Sequence, residues 1–459
     1  MNYVNIYFIG IGGIGMSNLA RFFLSQGKRV GGYDRTPSPL TESLREEGGF
    51  IHYKDDLQEL PPEFTDSEKT LVVYTPAVPS THGELIYFKE NGYTVMKRAQ
   101  LLGEITNTSD AICVAGTHGK TTVSSMTAHL LRQSQVDCNA FLGGILKNYD
   151  SNLLLSDKSN ITVVEADEYD RSFHWLKPWI AIITSADPDH LDIYGTAEAY
   201  RESFELFTSL IRPQGYLLMK KDAAVTPRCD TSVTIRSYST SEGDYHAENI
   251  RIGNGEIVFD YVSPGGRIDD IFLGVPMKVN IENSIAAIAA AELCGVTPEE
   301  IRNAMHSFSG ARRRFDFHIK TPHLVFIDDY AHHPQELTAA IQSIRALYPE
   351  KKVTAIFQPH LYSRTRDFAD QFAQSLSLLD DVILLDIYPA REEPIEGVTS
   401  QLILNKITSS QKMICSKAEL PALLRNKPVE LLVTFGAGDI DRMLPEIEQL
   451  LRMKEQLND

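Results

Sequence analysis

The sequence is short of cysteine, and the cysteines that it has form no recognisable pair. There are five along 459 residues, spaced far apart, and none belongs to a CxxC motif. This pattern excludes a disulfide framework and a zinc site recognisable from sequence, and it is typical of free thiols in a reducing compartment. The chain also lacks a run of about 18 consecutive apolar residues and the features of a secretory signal peptide. We therefore expect a cytoplasmic protein with no membrane partner.

Positive charge is scarce as well. Lysine and arginine together number 44 against 61 aspartates and glutamates, which gives a formal net charge of -17 at pH 7. Nucleic acids are bound through a basic surface that neutralises their phosphates, so we expect no nucleic-acid partner. A small anionic substrate needs only a local cation and is not excluded. The length predicts roughly three domains of about 150 residues each.

The most informative stretch lies between residues 111 and 131. The apolar run Ala111–Ala115 predicts a buried strand, a turn with two glycines follows, and residues 126–131 have the apolar spacing of a helix. In such a turn, backbone N–H groups and the helix N-terminus hold a phosphate, a lysine reaches the terminal phosphates, and a hydroxyl binds magnesium. The spacing departs from GxxxxGK[ST], because Val114 stands where the first glycine would be, and an ordinary turn is the alternative. The predicted nucleotide site consists of Gly116, Thr117, His118, Gly119, Lys120, Thr121 and Thr122.

A second glycine motif opens the chain. An apolar strand from Asn5 leads into glycines at positions 10, 12, 13 and 15, and Asp34 follows the next predicted strand. This spacing matches the GxGxxG fingerprint, in which a diphosphate lies on a helix N-terminus. NAD and FAD fit this motif, and a nucleotide-sugar diphosphate satisfies the same geometry. A domain of this type without a ligand is the third interpretation.

Acidic residues end a later strand. Residues 161–164 are apolar or β-branched and lead into three carboxylates, Glu165, Asp167 and Glu168. A carboxylate at the tip of a strand beside a phosphate loop is a common position for a magnesium ligand. A solvated acidic turn has the same composition and is the alternative.

A histidine follows the next strand of the same segment. His190 stands with Asp189 and Asp192 after the apolar residues 179–184. Imidazole and carboxylate together suit a second cation, magnesium or manganese. The alternative is a turn stabilised by its own capping side chains.

Cationic and imidazole groups gather in the last third of the chain. Arg312–Arg314 is a basic triplet at a predicted domain junction, where an arginine could reach a terminal phosphate. Two buried strands end in polar clusters, residues 328–333 and 358–366, and ligands bind at such strand ends in open α/β sheets. Further upstream, Asn280 and Asn283 lie one turn apart at a helix start, placed to contact a base or to cap the helix. The alternation of strands and helices predicts an α/β protein with parallel sheets.

Taken together, these motifs resemble the Mur ligase family, the ATP-dependent amide ligases of peptidoglycan precursor synthesis. The resemblance covers essentially the whole chain and rests on Gly10–Met16, Gly116–Thr122, Glu165–Glu168, Asp189–His190, Asn280 with Asn283, Arg313–Phe315, Asp328–Pro334, Gln358–Arg366 and Gly436–Ile440. It implies a Rossmann-like UDP-sugar domain over residues 1–105 and a central P-loop ATPase-type domain over 106–310. It also implies a C-terminal Rossmann-like domain over 311–459 that closes over ATP and binds the amino acid.

The resemblance also implies a role for individual residues. The UDP-sugar would be bound by Gly12, Gly13, Gly15, Met16 and Asp34, which favours a sugar nucleotide over NAD. ATP would be contacted by the residues of the Gly116–Thr122 loop, Asn280, Asn283, Arg314 and Asp329. Two magnesium ions, replaceable by manganese, would be held by Thr121, Glu165 and His190. The reacting carboxylate and the amino acid would lie near Tyr330, His332, Arg364 and Arg366. The implied catalytic residues are Lys120, Arg314, Glu165 and His332, with His332 or His333 as the base.

The implied reaction joins the lactyl carboxylate of UDP-N-acetylmuramate to L-alanine through an acyl phosphate. Tyr169 departs from the serine of many L-alanine-adding members and matches the members that attach a ready-made tripeptide, so a tripeptide-recycling ligase is the alternative. The Gln358–Arg366 segment favours L-alanine. An NAD-dependent oxidoreductase and a non-catalytic ATP-binding regulator are more distant alternatives. We expect a monomer or a homodimer.

A second departure concerns magnesium. Several sister ligases carry a carbamylated lysine a short way beyond the histidine that matches His190. Residues 202–206 of this chain contain no lysine. We therefore expect no carbamate and a carboxylate, Glu205, in the magnesium-orienting role.

Overall fold

The computed structural model describes residues 3–390, 392–409 and 411–456, and the chain divides into two compact units. The first unit contains the residues up to Ile145 together with 150–246 and 285–301. The second contains 146–149, 247–284 and the residues from Arg302 onward. Within the described ranges, no helix has both the length and the apolar character that crossing a membrane requires.

The first unit begins with a parallel sheet. Its elements are β1 (Asn5–Ile9), α1 (Ile14–Ser25), β2 (Arg29–Tyr33), α2 (Pro39–Glu46), β3 (Phe50–His52), β4 (Thr70–Tyr74), α3 (Gly83–Glu90), β5 (Thr94–Lys97) and α4 (Arg98–Asn107). The five strands pair in the order β3-β2-β1-β4-β5, all parallel. Ile6 and Phe8 of β1 pack in one apolar core, whereas Tyr7 and Ile9 pack in another, because side chains alternate between the two faces of a strand. The strand order reverses at β1, so the glycine loop after it lies at a switch point of the sheet, where ligands bind.

The first unit also contains a second, mostly parallel sheet. Its elements are β6 (Asp110–Ala115), α5 (Lys120–Arg132), β7 (Asn139–Leu146), β8 (Ser151–Leu154), β9 (Ile161–Glu165), β10 (Ile180–Ile183), α6 (Leu191–Tyr194), α7 (Ala197–Thr208), β11 (Tyr216–Lys220) and β12 (Thr234–Tyr238). The strand order is β12-β11-β10-β6-β9-β7-β8. Strand β6 pairs in parallel with β10 on one side and β9 on the other. The loops that follow these three strands therefore meet at one edge of the sheet.

The second unit carries a small antiparallel sheet and a larger, mostly parallel one. Its elements are β13 (His246–Gly253), β14 (Glu256–Ser263), β15 (Gly266–Phe272), β16 (Asp316–Lys320), β17 (Val325–Asp329), α10 (Pro334–Leu347), β18 (Val353–Phe357), α11 (Tyr362–Asp367), α12 (Ala369–Leu376), β19 (Asp381–Leu384), α13 (Gln401–Leu404), β20 (Gln411–Ile414), α14 (Leu420–Asn426), β21 (Leu431–Phe435) and α15 (Leu444–Gln456). Two further helices, α8 (Lys278–Leu293) and α9 (Pro298–Ser307), lie between β15 and β16 in sequence. The larger sheet has the order β16-β17-β21-β18-β19-β20, with β16 antiparallel to β17. The predicted α/β class with parallel sheets is confirmed, and β14 and β15 form an antiparallel pair.

Candidate active site

The glycine turn between β6 and α5 has the backbone that a phosphate site needs. Gly116 and Gly119 have φ angles of +148° and +85°, and a Cβ on Gly116 would lie 2.0 Å from Oγ1 of Thr184. Helix α5 begins at Lys120 with no side-chain cap and no acidic residue in its first turn, which also contains Thr122. Its first N–H groups are therefore free for an anion.

The same loop is held by the loop that follows β10. The N–H of His118 donates to Oγ of Ser185 at 2.9 Å, and the hydroxyl of Thr117 donates to the carbonyl of Asp187 at 2.6 Å. The predicted nucleotide loop is thus held at two adjacent residues in its middle. Its conformation is set by neighbouring strand ends that are distant in sequence.

Lys120 is already engaged by groups of its own unit. Its Nζ donates to the carbonyl of Gly116 at 2.6 Å and lies 2.7 Å from Oε2 and 2.9 Å from Oε1 of Glu168. The Glu168 side chain is 2% exposed, against 15% for Lys120. Burial raises the pKa of the Glu168 carboxyl, and the ammonium of Lys120 opposes that rise. Glu168 thus joins the site as the direct partner of the predicted catalytic lysine.

Glu168 was recognised in the sequence only as one of three acids at a strand end. Its role depends on which of those carboxylates turns toward the glycine loop, and spacing does not reveal this. The one available signal was its place directly after the strand that pairs with β6.

Thr121 and Glu165 lie together, as predicted for magnesium ligands. The Thr121 hydroxyl donates to Oε1 of Glu165 at 3.0 Å, and the N–H of Gly143 donates to Oε2 at 3.0 Å. Burial raises the pKa of the Glu165 carboxyl, while the Thr121 hydroxyl and the Lys120 charge lower it. A hydroxyl and a carboxylate are hard oxygen ligands that suit magnesium. In the described part of the chain no three His, Cys, Asp or Glu side chains converge as a metal site, so a cation here would need further oxygens from substrate phosphates.

His190 lies at the same edge of the sheet, next to Glu168. Its Nε2 is 4.0 Å from Oε1 of Glu168, and its ring packs edge-on against Tyr169 with 5.3 Å between centroids. Asp189 accepts the N–H of its neighbour His190 at 2.7 Å, so one acid of this cluster bonds within its own loop. The side chain of Asp192 lies outside the described part of the structure. Tyr169, the residue that departs from the family pattern, therefore contacts the predicted ligand of a second cation.

A cavity extends from the N-terminal glycine loop to Glu165, one of the predicted magnesium ligands. Its volume is about 360 Å³, and its wall includes Gly13 just before α1, Gly15 and Met16 in the first turn of α1, Glu165 at the end of β9 and Asp167 in the loop that follows. Helix α1 has no side-chain cap and no acid in its first turn, so it presents free N–H groups to this space. Three of the predicted sugar-nucleotide residues and one predicted metal ligand thus line one cavity within the first unit.

Gly12 and Asp34 form a hydrogen bond that holds the N-terminal glycine loop. The N–H of Gly12 donates to Oδ2 of Asp34 at 2.7 Å, and a Cβ on Gly12 would lie 2.8 Å from that oxygen. Asp34 therefore fixes the glycine loop through one oxygen. Its contact with the sugar nucleotide stays a prediction.

In the second unit, the two arginines at the predicted phosphate contact differ in their surroundings. Arg313 pairs with the buried Asp328 at 3.2 Å and donates to the carbonyl of Gly436. Arg314 is exposed, and among the described residues its guanidinium has no hydrogen bond or ion pair. Arg313 and Phe315, on either side, have φ angles of +62° and +49°, a strained conformation for such residues. This bend, anchored by Arg313, turns Arg314 outward, which fits the implied ligand role of Arg314.

Asp329 supports the same bend. It is 8% exposed, and its two oxygens accept the N–H groups of Phe315 at 2.7 Å and Ala331 at 2.8 Å. Burial raises the pKa of Asp329 to about 6. The structure thus gives Asp329 a loop-fixing role, and its implied contact with a ribose stays a prediction.

Four of the remaining predicted residues form a connected group. The ring centroids of Tyr330 and His332 are 5.2 Å apart, those of His332 and His360 are 6.0 Å apart, and Nη1 of Arg364 is 3.4 Å from Nδ1 of His360. Burial lowers the pKa of His332. His360 was part of the cluster predicted after β18 without a role of its own. The structure does not bring Arg366 into this group, because Arg366 is exposed and pairs with its neighbour Asp367 at 2.7 Å.

Two other predicted residues, Asn280 and Asn283, bond to each other. The Asn283 amide donates to Oδ1 of Asn280 at 3.0 Å, and the Asn280 amide donates to the carbonyl of Val275 at 3.1 Å. Both are buried. This arrangement supports the helix start, and the contact with adenine stays a prediction.

Glu205 does not lie among the predicted magnesium ligands. Its Oε2 is 2.6 Å from Nη2 of Arg228, and its Oε1 accepts the N–H of Thr226 at 3.4 Å. The expectation that Glu205 orients magnesium was drawn from sequence position alone. The structure instead gives this carboxylate a surface arginine as its partner.

Family models match nearly all of this architecture. The Mur ligase family catalytic domain matches residues 5–109, the Mur ligase middle domain matches 114–291, and the Mur ligase glutamate ligase domain matches 313–438. Two curated relatives cover the chain almost completely. UDP-N-acetylmuramate--L-alanine ligase of Parabacteroides distasonis is 62% identical over 97% of both chains, and its namesake from Phocaeicola vulgatus is 60% identical over 98% of both chains.

Solved structures have the same fold. The crystal structure of UDP-N-acetylmuramate-alanine ligase from Thermotoga maritima matches with a TM-score of 0.76 and 26% identity, covering 99% of this chain and 100% of that one. A murein peptide ligase from Psychrobacter arcticus matches with a TM-score of 0.62 and 22% identity over 98% of both chains, which shows the shared fold alone. The nucleotide loop, the glycine-loop cavity and the matches along nearly the whole chain lead to one conclusion: this chain belongs to the Mur ligase family.

Proposed function

We propose that the chain uses ATP to form an amide bond between the lactyl carboxylate of UDP-N-acetylmuramate and the amino group of L-alanine. The observation that carries the proposal is the cavity that runs from the first turn of α1 to Glu165. One end of the cavity is the start of α1, which suits the diphosphate of a sugar nucleotide. The other end is the Glu165 carboxylate, which lies beside Thr121 of the predicted nucleotide loop. The relatives of 45–62% identity that are named for this reaction identify the amine as L-alanine.

The first chemical step is attack of the lactyl carboxylate on the γ-phosphoryl group of ATP. Lys120 is assigned to the β- and γ-phosphates and Arg314 to the γ-phosphate, because positioning and charge neutralisation are most of what a protein contributes to phosphoryl transfer. Thr121, Glu165 and His190 are the residues that would hold magnesium, and bound magnesium would neutralise charge on the transferred group. The pair formed by Lys120 and Glu168 keeps the lysine in the loop, from which its ammonium can turn to the phosphates.

The product of that step is an acyl phosphate, which the amine of L-alanine attacks, and phosphate then leaves. The amine must first lose a proton. His332 is suited to accept it, because burial lowers its pKa and keeps the ring neutral. Its Nδ1 lies 3.0 Å from the carbonyl oxygen of Tyr330. A proton on Nδ1 would be donated to that carbonyl and would leave Nε2 free as the base. Because ATP is the second substrate, we place the activity in the cytoplasm.

The amine substrate is tested by offering the purified protein ATP, magnesium and UDP-N-acetylmuramate with one amine at a time. L-alanine, glycine, L-serine, D-glutamate and the L-Ala-γ-D-Glu-diaminopimelate tripeptide would be compared, and products identified by mass. We expect an L-alanine adduct together with ADP. An adduct with the tripeptide alone would contradict the proposal and identify the recycling ligase, and no adduct with any amine would contradict both.

A further inference from the structure

One arginine in the wall of the sugar-nucleotide cavity belongs to none of the motifs or contacts described above. Arg98, the first residue of α4, lines the cavity. Its side chain is half-buried, and within the described ranges its guanidinium has no hydrogen-bond or ion-pair partner. A half-buried guanidinium without a partner is costly, because it gives up water without gaining an acceptor. Such a group is explained if a ligand supplies the acceptor.

The guanidinium of Arg98 packs against the N-terminal glycine loop. A Cβ built on Gly15 would lie 3.0 Å from Nη1 and 3.2 Å from Cδ of Arg98. The guanidinium therefore lies directly over the first turn of α1, whose N–H groups have no side-chain cap. The absence of a side chain at Gly15 is what makes room for it.

Charge divides the cavity into two ends. Among the described residues that line it, Arg98 is the one cation, whereas Glu165 and Asp167 are acids. The acids belong to the end of β9 and the loop after it, whereas the arginine lies over the uncapped start of α1. An elongated anionic ligand would place its most highly charged group at the arginine end, because the acids repel it at the other.

We infer that Arg98 binds the diphosphate of the sugar nucleotide and so sets the direction in which the substrate lies in the cavity. The diphosphate lies across Arg98 and the first-turn N–H groups of α1, and the lactyl carboxylate points to the Glu165 end. A guanidinium is suited to this task because it makes two parallel hydrogen bonds to phosphate oxygens and stays charged at any working pH. This inference rests on the proposed function and adds to it a residue that the sequence motifs do not include.

The test is direct binding without turnover. Isothermal titration of the full chain, in the absence of ATP, would compare UDP-N-acetylmuramate, UDP-N-acetylglucosamine and UDP as ligands. We expect Arg98→Met to weaken all three by a similar factor, roughly tenfold to a hundredfold, because all three carry the diphosphate. Arg98→Lys should recover part of the loss, since it restores the charge without the fork. The affinity of Arg98→Met should also depend less steeply on salt concentration than that of wild type.

Two controls keep the result specific. Arg21→Met removes an arginine of α1 that pairs with Glu47 on the surface, and it should leave all three affinities unchanged. Binding of a non-hydrolysable ATP analogue should be unchanged in Arg98→Met, which shows that the unit is folded.

Three outcomes would overturn the inference. If Arg98→Met binds UDP as tightly as wild type, Arg98 does not bind the diphosphate. A loss confined to UDP-N-acetylmuramate would mean that Arg98 contacts the lactyl carboxylate. Wild-type protein that binds the ATP analogue but none of the three UDP ligands would overturn both this inference and the proposed function.

Discussion

Replacing Lys120 by alanine would separate its catalytic role from its role as partner of a buried acid. The Glu168 side chain is 2% exposed, and both of its oxygens lie within 2.9 Å of the Lys120 ammonium. Without that ammonium, the carboxylate either stays charged in a dry site or takes up a proton. From the ordinary pKa of 4.5, protonation at pH 7 costs about 3.4 kcal/mol at about 1.36 kcal/mol per pH unit. This is the upper limit of the expected loss of stability.

The sign of the pH dependence follows from the same reasoning. Loss of Lys120 raises the folded-state pKa of Glu168 further, so the penalty grows as the pH rises above the unfolded value. At pH 5 the limit falls to about 0.8 kcal/mol, because the pH is then only about half a unit above the ordinary pKa and about a quarter of the unfolded chains already carry the proton. Lys120→Ala should therefore be clearly destabilised at pH 7 and close to wild type at pH 5.

The assay is urea unfolding at pH 5 and pH 7 for wild type, Lys120→Ala and the double variant Lys120→Ala/Glu168→Gln, with turnover measured on each. Glutamine carries no charge, so the double variant should recover most of the stability at pH 7. Turnover should stay at least about a hundredfold below wild type in both variants, because the phosphates have lost their lysine. Near-normal turnover in either variant would refute the nucleotide assignment. Equal stability of Lys120→Ala and wild type at pH 7 would refute the buried pair.

Three further predictions follow from contacts in the two units. Glu205→Ala should leave the magnesium dependence of turnover unchanged, because Glu205 pairs with Arg228. A shift of more than about tenfold in the magnesium concentration needed for half-maximal turnover would instead support Glu205 as the residue that orients magnesium. Arg314→Met should cut turnover by at least about tenfold and leave the urea midpoint of unfolding unchanged. Arg313→Met should lower that midpoint, because it leaves the buried Asp328 without its arginine. The opposite pattern would mean that Arg313 binds the phosphate and Arg314 stabilises the fold. His332→Gln should lower turnover by about a hundredfold. Turnover should also rise more steeply with pH, because the amine must then lose its proton to solvent. A pH profile parallel to that of wild type would contradict the assignment of His332 as the base.

Features that depend on neighbouring residues were predictable from the sequence. The strand, glycine turn and helix around Lys120 follow from local apolar spacing and from two glycines, and the structure has them where they were expected. The acids at the end of β9 lie beside the glycine turn, as expected, because the carboxyl ends of neighbouring parallel strands meet at one edge. Local pattern and strand order are enough for this level of detail.

Contacts between distant residues were not predictable. Arg98 reaches Gly15 only because α4 returns past the start of α1, and no motif marks it. The choice between Arg313 and Arg314 depends on which of two adjacent side chains meets Asp328. Glu205 was chosen for its sequence position, and its actual partner lies on a later loop. In each case the deciding contact spans residues whose separation carries no pattern.

The measurement that tests the central claim most directly follows an oxygen atom. UDP-N-acetylmuramate labelled with ¹⁸O in both oxygens of its lactyl carboxylate would be turned over with ATP, magnesium and L-alanine, and the released phosphate analysed by mass. If the carboxylate attacks the γ-phosphoryl group and phosphate leaves from the acyl phosphate, each phosphate carries one ¹⁸O atom and the amide retains the other. Unlabelled phosphate formed together with the L-alanine adduct would contradict the account.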